Sequence, residues 1–494
     1  MNNNLENMLG AADRELAEHG ETQAANVGYQ DRRAETSPAN GQKGGRPFVD
    51  HVQVARDYIA RTGRVVKFCD GELYEYDPER GAYDLLSNKE RLHVSVGNFL
   101  ANANIPGVRY STHTEKEVAG ALRGLGLTYK RDVFLDTGES TAGWAALKNG
   151  LLNIEAAARG EQDVLRPYTP DFFSTTHFPH VWDPNATCPR FQEFIAQLLP
   201  DEDAREMAQM IFGLLLVKDH SYNVIFYYFG EGGTGKSALL AIHRGILGEA
   251  NTSAVPPRKW TEKHSIHQMA HSLANLVDDS PTVDGRFGGL AVLEGVMKEV
   301  AEGQKMEVEP KGVNPYQASI TARCIFCQNP PLPRVLDKSE GLWDRMRIIP
   351  FNVRFRGTDK QNKNIAKELL AAESPGIFKW CVEGLGKLRR NYPRTFPQCA
   401  AGAALLAKHR GTCDRERIFL EDNYHYAPGQ FVPSSEIYLA YRAFCEGDGG
   451  QPKSKPFFAG EVERVFHGAQ NVNIMWDGRK QRGFKNIAPG GNAI

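Results

Sequence analysis

The sequence NVIFYYFGEGGTGKS occupies residues 223–237 and decides the fold. Its first part, residues 223–229, is a continuous apolar and aromatic run, which is typical of a buried parallel strand. The second part matches G-x-x-x-x-G-K-S, and a helix is predicted directly after it, over residues 238–247. Glycines in such a loop turn backbone N–H groups toward an anion, and the N-terminus of the following helix adds its dipole. The sequence therefore predicts a nucleotide phosphate site rather than a chance match in a glycine-rich loop.

The side chains of this loop have separate predicted roles. Lys236 would reach the β- and γ-phosphates of ATP, and the Ser237 hydroxyl would hold Mg²⁺. ATP and Mg²⁺ are therefore the expected cofactors. The predicted phosphate cradle consists of Gly230, Gly232, Gly233, Thr234, Gly235, Lys236 and Ser237.

An acidic pair follows a second predicted strand, residues 273–277. In a P-loop ATPase, Asp278 would help to hold Mg²⁺ and Asp279 would orient or deprotonate the attacking water. The alternative is a strand that ends in a capping Asp-Asp turn. The phosphate loop upstream favours the catalytic interpretation.

A third predicted strand, residues 322–328, ends in Asn329, which could sense the γ-phosphate or simply begin an Asn-Pro turn. We interpret Cys324 and Cys327 on this strand as core thiols, because no second pair stands at zinc spacing. Arg345 and Arg347 precede another apolar strand. Either arginine could be a finger that reaches a neighbouring subunit's nucleotide, or could form ordinary surface salt bridges.

Two basic hairpins are predicted outside the phosphate site. Residues 305–316 favour a β-hairpin with Lys311 at its tip, either against a phosphate backbone or in a solvated turn. Residues 434–487 are predicted to form two helices and a basic hairpin, the pattern of a winged helix. Its cations would give salt-dependent DNA affinity, unless the wing contacts only protein. They are Arg479, Lys480, Arg482 and Lys485.

Composition limits the remaining classes of function. Lys and Arg number 59 and Asp and Glu 60, so the formal net charge is −1 and any DNA-binding surface must be local. No apolar run approaches the ~20 residues that span a bilayer, so no membrane partner is expected. Residues 1–4 offer neither a basic stretch nor an apolar stretch, so no secretory signal is expected. Eight sparsely spaced cysteines indicate reduced thiols in a cytoplasmic protein.

The predicted fold class is α/β, in five segments along the chain. Residues 1–47 are polar and are predicted to be a disordered arm. Residues 48–190 are predicted to form an accessory module, with three short strands, two helices and a connector over 144–189. The ATPase core is expected at 191–355 with a preceding helical collar, a basic helical lid at 356–412, and a winged-helix-like domain at 413–494.

The order of these elements resembles superfamily 3 helicases, and the nearest resemblance is to phage and plasmid primase-helicases and their poxvirus-type relatives. Residues 329–333 and 345–351 carry the most specific part of the match. The resemblance implies an AAA+-like core and a ring, expected to be a hexamer. It also implies ATP-driven 3′→5′ translocation on single-stranded DNA, in replication initiation of a phage or mobile element within a bacterial host.

By position, the resemblance makes Asn329 the sensor, Arg345 the first candidate for the finger and Arg347 the second. It makes Lys311 the residue that tracks the DNA strand. No paired-carboxylate polymerase motif precedes the core, so no primase domain is expected. Forked DNA and a separate primase or other replication proteins are the expected partners.

Two other functions stay open at this level. The chain could be a different P-loop motor or switch, such as a defence or DNA-packaging ATPase. It could also be an origin-binding or loading factor that binds ATP without turnover.

Overall fold

The structure is a computed structural model. It describes residues 49–69, 72–86, 89–128, 130–280, 290–309, 315–333, 335, 340–447 and 451–490. The predicted arm, residues 1–47, lies outside these ranges. The described residues from Asp50 onward belong to one compact unit. Within these ranges, no helix combines the length and the apolar character that a membrane crossing requires.

The accessory module begins with a small antiparallel sheet flanked by helices. Asp50 caps the first helix, because its carboxylate accepts hydrogen bonds from the N–H groups of Val52 and Gln53, both at 3.0 Å. The three predicted strands and two predicted helices are present. In chain order the elements are α1 (His51–Thr62), β1 (Val66–Cys69), β2 (Glu72–Asp77), β3 (Ala82–Leu85), α2 (Lys89–Asn102) and α3 (Thr112–Leu125).

The prediction of a connector over residues 144–189 is wrong, because this stretch contains short strands and a helix. The strand residues 144–147 are all buried, so the alternation that marks a half-exposed strand is missing from the sequence. Strand β4 (Val133–Phe134) precedes this stretch, and the elements within it are β5 (Trp144–Leu147), β6 (Gly150–Asn153), α4 (Ile154–Arg159), β7 (Leu165–Arg166) and β8 (Phe172–Phe173).

A five-stranded parallel sheet forms the centre of the core. Its strand order is β10 (Thr252–Ser253), β11 (Ala274–Val277), β14 (Arg323–Gln328), β9 (Ile225–Phe229) and β15 (Met346–Pro350). Two helices, α5 (Pro189–Leu198) and α6 (Glu202–Leu214), precede it. The further elements are β9 (Ile225–Phe229), α7 (Lys236–Leu247), β10 (Thr252–Ser253), β11 (Ala274–Val277), α8 (Leu290–Glu302), β12 (Lys305–Val308), β13 (Tyr316–Ser319), β14 (Arg323–Gln328), α9 (Glu340–Trp343) and β15 (Met346–Pro350).

Both faces of this sheet are covered, which explains the continuous apolar run of β9. Ile225 and Tyr227 belong to one hydrophobic core, whereas Phe226 and Tyr228 belong to another on the opposite face. Of the two cysteines of β14, Cys324 belongs to the first of these cores and Cys327 to the second. Both are therefore core thiols, and their side chains lie on opposite faces of the sheet.

The remaining chain adds a long helix and a separate small core. Helix α10 (Ile365–Asn391) packs against α4, α6 and α7, and it therefore connects the accessory module to the part of the chain that contains the parallel sheet. The last domain has its own hydrophobic core around Tyr441 and Phe458 and an antiparallel sheet of order β16-β18-β17. The elements are α10 (Ile365–Asn391), α11 (Ala400–Cys413), α12 (Arg415–Asn423), β16 (Tyr424–Pro433), α13 (Ser434–Gly447), α14 (Lys455–Val465), β17 (Gln470–Trp476) and β18 (Arg479–Pro489).

Candidate functional site

The phosphate loop connects β9 to α7 at the carboxyl edge of the parallel sheet. Gly233 and Gly235 have φ angles of +89° and +90°, a left-handed backbone that glycine adopts without steric cost. A Cβ atom added to Gly235 would lie 2.4 Å from Leu198 Cδ1, so neighbouring side chains also exclude a larger residue. Thr234 Oγ1 donates to the Glu231 carbonyl at 2.9 Å. These constraints fix the curved backbone that the motif predicts.

Lys236 stands at the start of α7 and points back into the loop. Its ammonium donates to the carbonyl oxygens of Gly230 at 2.6 Å and Glu231 at 2.8 Å. The residue is only 6% exposed, and burial lowers the pKa of its ammonium below the ordinary value. The structure thus places one buried cation at the base of the loop.

The two aspartates follow β11 at the same edge of the sheet. Asp278 accepts a hydrogen bond from the Ser237 hydroxyl at 2.9 Å, so the loop and the acidic strand end are in direct contact. Asp279 has a φ of +60°, which is uncommon for a residue other than glycine. The next residue, Ser280, donates its N–H to the Cys327 carbonyl on β14 at 2.9 Å and so fixes the turn.

Strand β14 lies between β9 and β11, so Asn329 emerges between the phosphate loop and the acidic pair. One cleft of about 760 Å³ is lined by Lys236, Ser237, Asp278, Asp279 and Asn329. Its volume suits a small-molecule ligand. The sequence predicted each of these five residues separately, and the fold brings all of them together.

The apolar wall of this cleft comes from both sides of the core. Phe194 of α5 lines it, and so do Ile365 and Leu369 of α10. A cleft with an apolar wall, a buried ammonium and a row of backbone N–H groups can hold a nucleotide, with its base on the apolar side and its phosphates on the loop.

The oxygen atoms of Ser237 and Asp278 suit a hard cation. A hydroxyl and a carboxylate beside a phosphate loop are the ligand types that Mg²⁺ takes in nucleotide sites. Asp279 provides a second carboxylate at the same strand end. The donor set therefore fits the predicted Mg²⁺.

Arg345 and Arg347 lie outside the cleft and contact their own chain. Arg345 donates to the carboxylate of Glu302 and to the Gly341 carbonyl. Burial raises the pKa of Glu302, but the hydrogen bonds and charge of Arg345 outweigh this effect and lower it overall. Arg347 donates to the Phe396 carbonyl at 2.9 Å, and burial lowers its pKa. The structure does not bring either arginine to the phosphate loop of the same chain.

Several cations that the sequence analysis did not single out line the cleft. Arg356 lies beside the phosphate loop and is exposed to the cleft. No local sequence motif marks Arg356. It joins the site because the segment after β15 contacts the phosphate loop. The others are Arg190, Lys360 and Lys363.

The hairpin that precedes β14 is present as the antiparallel pair β12–β13, in which Val308 pairs with Tyr316. Lys311, predicted at its tip, lies outside the described residues. Directly after β12, at the loop end of the hairpin, His264 Nδ1 contacts the Glu309 carbonyl at 2.6 Å, and Lys263 forms an ion pair with Glu309. The predicted hairpin therefore has basic neighbours on the adjoining loop.

The predicted basic hairpin near the C-terminus consists of β17 and β18. Its four predicted cations are all exposed, but they alternate along β18, so Lys480 and Arg482 lie on one face and Arg479 and Lys485 on the other. At the tip, Met475 and Trp476 are 68% and 40% exposed. The sequence analysis did not predict this apolar pair, because it read them as ordinary strand residues.

Two protein families match parts of the chain. Residues 46–200 match the family described as D5 N terminal like, and residues 228–347 match a family of unknown function, DUF5906. Over 327 residues the chain is 21% identical to 121R, a protein of Invertebrate iridescent virus 3 that is named as a helicase. This match covers 60% of the chain and 34% of 121R, so the chain spans about a third of the length of that relative.

Solved structures with the same fold include the C-terminal region of NrS-1. Its apo structure over residues 305–718 has a TM-score of 0.54 at 11% identity, with 88% of this chain and 99% of that chain covered. A second apo form has a TM-score of 0.50 at 10% identity, with 89% and 100% covered. The predicted resemblance to the primase-helicase type is confirmed by the D5 N terminal like region together with the similarity to 121R.

Proposed function

We propose that this chain is an ATP-dependent DNA helicase with an AAA+-like core of the superfamily 3 type. The observation that carries the proposal is the single cleft in which Lys236, the Asp278-Asp279 pair and Asn329 meet. A phosphate loop alone would fit any nucleotide-binding protein. A phosphate loop with two carboxylates and a polar strand end opposite it fits hydrolysis of the terminal phosphate.

Each side chain of the cleft has one proposed task. Lys236 binds the β- and γ-phosphates, and the backbone N–H groups of Gly232 to Ser237 cradle them. Asp279 orients or deprotonates the attacking water, and Asn329 positions that water relative to the γ-phosphate. Ser237 and Asp278 hold Mg²⁺, which supplies charge neutralisation of the phosphates when bound.

A neighbouring subunit is proposed to complete the site. Arg345, or Arg347 as the second candidate, would reach the nucleotide of the next subunit in a hexameric ring. Because Arg345 is paired with Glu302 within its own chain, the finger role requires that this pair be exchanged for a phosphate. The same ring would pass single-stranded DNA through its centre in the 3′→5′ direction.

DNA is proposed to meet two surfaces. Lys311 on the β12–β13 hairpin would follow the strand in the channel. The wing formed by β17 and β18 would bind phosphates of forked DNA through Arg479, Lys480, Arg482 and Lys485. The proposed setting is replication initiation of a phage or mobile element in the cytoplasm of a bacterial host, with a separate primase or other replication proteins as partners.

The proposed domain limits follow the earlier prediction. The accessory module takes 48–190, the ATPase core with its collar 191–355, the basic lid 356–412 and the winged-helix-like domain 413–494. The structure adds that α10 of the lid packs on the accessory module as well as on the core.

The decisive experiment measures ATP hydrolysis and unwinding of a forked duplex, with Lys236→Ala as the matched variant. We expect hydrolysis that single-stranded DNA stimulates, ATP-dependent unwinding, and loss of both in Lys236→Ala because the phosphates lose their buried cation. Binding of ATP without turnover would favour a loading factor. Turnover without unwinding would favour another P-loop motor or switch.

A further inference from the structure

The segment that leaves β15 is hydrogen-bonded to the phosphate loop. Phe351 donates its N–H to the Phe229 carbonyl at 2.6 Å, directly before the loop. Phe355 and Arg356 both donate their N–H groups to the Gly233 carbonyl, at 2.9 Å and 3.2 Å. The backbone of Arg356 is thus fixed to the middle of the phosphate loop.

The side chain of Arg356 extends along the two adjacent glycines of the loop. A Cβ atom added to Gly233 would lie 2.5 Å from Arg356 Cβ and 3.1 Å from its Nε. A Cβ atom added to Gly232 would lie 3.8 Å and 3.9 Å from the two terminal guanidinium nitrogens. The guanidinium therefore sits beside Gly232 and lines the same cleft as Lys236.

Arg356 differs from the two predicted finger arginines in what it contacts. Arg345 and Arg347 direct their guanidinium groups to carbonyls or a carboxylate of their own chain. Among the described residues, the Arg356 side chain forms no hydrogen bond or ion pair, and the residue is exposed. Its guanidinium donors are therefore available to a ligand of the cleft.

The charge of the cleft fits a ligand with several negative charges. Five cations line it, against the three carboxylates of Glu193, Asp278 and Asp279. Two of those carboxylates would be offset by a bound divalent cation, which increases the excess of positive charge. This excess favours a nucleoside triphosphate, which carries more negative charge, over a monophosphate.

We infer that Arg356 binds the terminal phosphates of the nucleotide held by its own subunit. This inference rests on the proposed function and adds a cation to it that acts in cis. A guanidinium can form two parallel charge-assisted hydrogen bonds with phosphate oxygens, which a lysine cannot. Because the backbone of Arg356 is already fixed to the loop, only its side chain has to be ordered when the phosphates bind.

The test compares Arg356→Ala with Arg354→Ala, a control that removes an exposed arginine two residues earlier and outside the cleft. Equilibrium binding is measured for a non-hydrolysable ATP analogue, ADP and AMP. We expect Arg356→Ala to weaken the ATP analogue by about ten- to a hundredfold, ADP by less and AMP not at all. Arg354→Ala should match the wild type for all three ligands, and Arg356→Lys should recover part of the loss.

An equal loss for all three nucleotides would place Arg356 at the base or ribose and would overturn the inference. Unchanged binding of the ATP analogue would overturn it as well. In either case the proposed function stands if the wild type hydrolyses ATP with DNA stimulation. A wild type that binds no nucleotide would overturn both.

Equal thermal unfolding midpoints of Arg356→Ala and Arg354→Ala would show that any loss of binding comes from a lost ligand contact and not from misfolding. Arg356→Gln provides a second variant with a similar side-chain volume.

Discussion

Asp278 and Asp279 are neighbours in sequence but have different surroundings in the cleft. Asp278 is hydrogen-bonded to the Ser237 hydroxyl. Asp279 is held at a φ of +60°, a backbone that few residues other than glycine, asparagine and aspartate adopt. This backbone gives the Asp279 side chain a direction different from that of Asp278. This difference favours a ligand role for the first carboxylate and a water-activating role for the second.

Asp279→Asn tests the second role without disturbing the turn, because asparagine also tolerates a left-handed backbone. We expect ATP binding close to that of the wild type and hydrolysis about a hundredfold slower or worse, as for loss of a general base. Binding is measured by equilibrium titration and hydrolysis by phosphate release. Asp278→Asn is the matched variant. Unlike Asp279→Asn, it should also weaken the Mg²⁺-dependent binding of ATP. Normal turnover in Asp279→Asn would remove the assigned role.

The sequence was sufficient to predict those site residues whose position depends on local chain geometry. Lys236 and Ser237 are placed by the loop and helix that contain them, and Asp278 by the strand that it ends. Arg356 was missed because nothing within its own segment is distinctive. It joins the site only through hydrogen bonds to Gly233, which is distant in sequence.

At the scale of the elements, α8 and β15 are linked by one ion pair. Glu302 is the last residue of α8, and its carboxylate accepts from the Arg345 guanidinium just before β15. The pair is mostly buried, with side-chain exposures of 17% for Arg345 and 26% for Glu302. The same arginine is the first candidate for the finger, so a structural and a catalytic role must be separated.

The variants Glu302→Gln and Arg345→Ala distinguish the structural role of Arg345 from its proposed catalytic role. Both variants break the pair, so both should lower the unfolding free energy at neutral pH, by up to about 1 kcal/mol. If Arg345 is also the finger, only Arg345→Ala should lose most of its ATP hydrolysis. Mixing Arg345→Ala with Asp279→Asn subunits should then restore some activity, because a mixed interface joins an intact arginine to an intact acidic site.

The pair also has a predictable pH dependence. The pKa of Glu302 is lowered in the folded protein, so its contribution is present above the ordinary glutamate pKa of about 4.3 and is lost as pH falls through the lowered value. The difference in unfolding midpoint between wild type and Glu302→Gln should therefore shrink on acidification. Independently of pH, equal rates of ATP hydrolysis in Glu302→Gln and Arg345→Ala would count against a finger role for Arg345.

Strands β5 and β16 are among the elements that escaped prediction, and each did so for an identifiable reason. Strand β5 is buried along its whole length, and its short apolar run does not distinguish a strand from a connector. Strand β16 contains Pro428 and Gly429, which argue against a strand, and its pairing with β18 shifts register between Tyr426 and Phe431. It is an edge strand, where such an interruption is tolerated.

At the scale of the molecule, the accessory module and the parallel-sheet region share one hydrophobic core. Leu152 of β6 and Phe178 belong to the same cluster as Phe226 of β9 and Leu385 of α10. Arg389 of α10 adds ion pairs to Glu155 and Asp219. The sequence predicted the order of these parts along the chain. It did not predict their shared burial, because contacts between distant segments leave no periodic pattern in either segment.

The last domain has a hydrophobic core of its own, so its β17–β18 hairpin can be altered without disturbing the cleft at the phosphate loop. Arg479→Ala combined with Lys480→Ala removes one exposed cation from each face of the hairpin. Each phosphate contact contributes about 0.7 to the slope of log affinity against log salt for single strands, so we expect a decrease of roughly 1.4 in slope. Initial binding of forked DNA should weaken, whereas basal ATP hydrolysis should stay at the wild-type rate.

Arg442→Ala is the matched control, since Arg442 is an exposed cation of the same domain but is ion-paired with Glu446. Its salt slope should equal that of the wild type. Complexes of the wing variant loaded at low salt should still unwind, because the proposed translocating residue, Lys311, is intact. Lys311→Ala should show the reverse, with normal loading and lost unwinding. An unchanged salt slope in the wing variant would mean that this hairpin contacts protein instead of DNA.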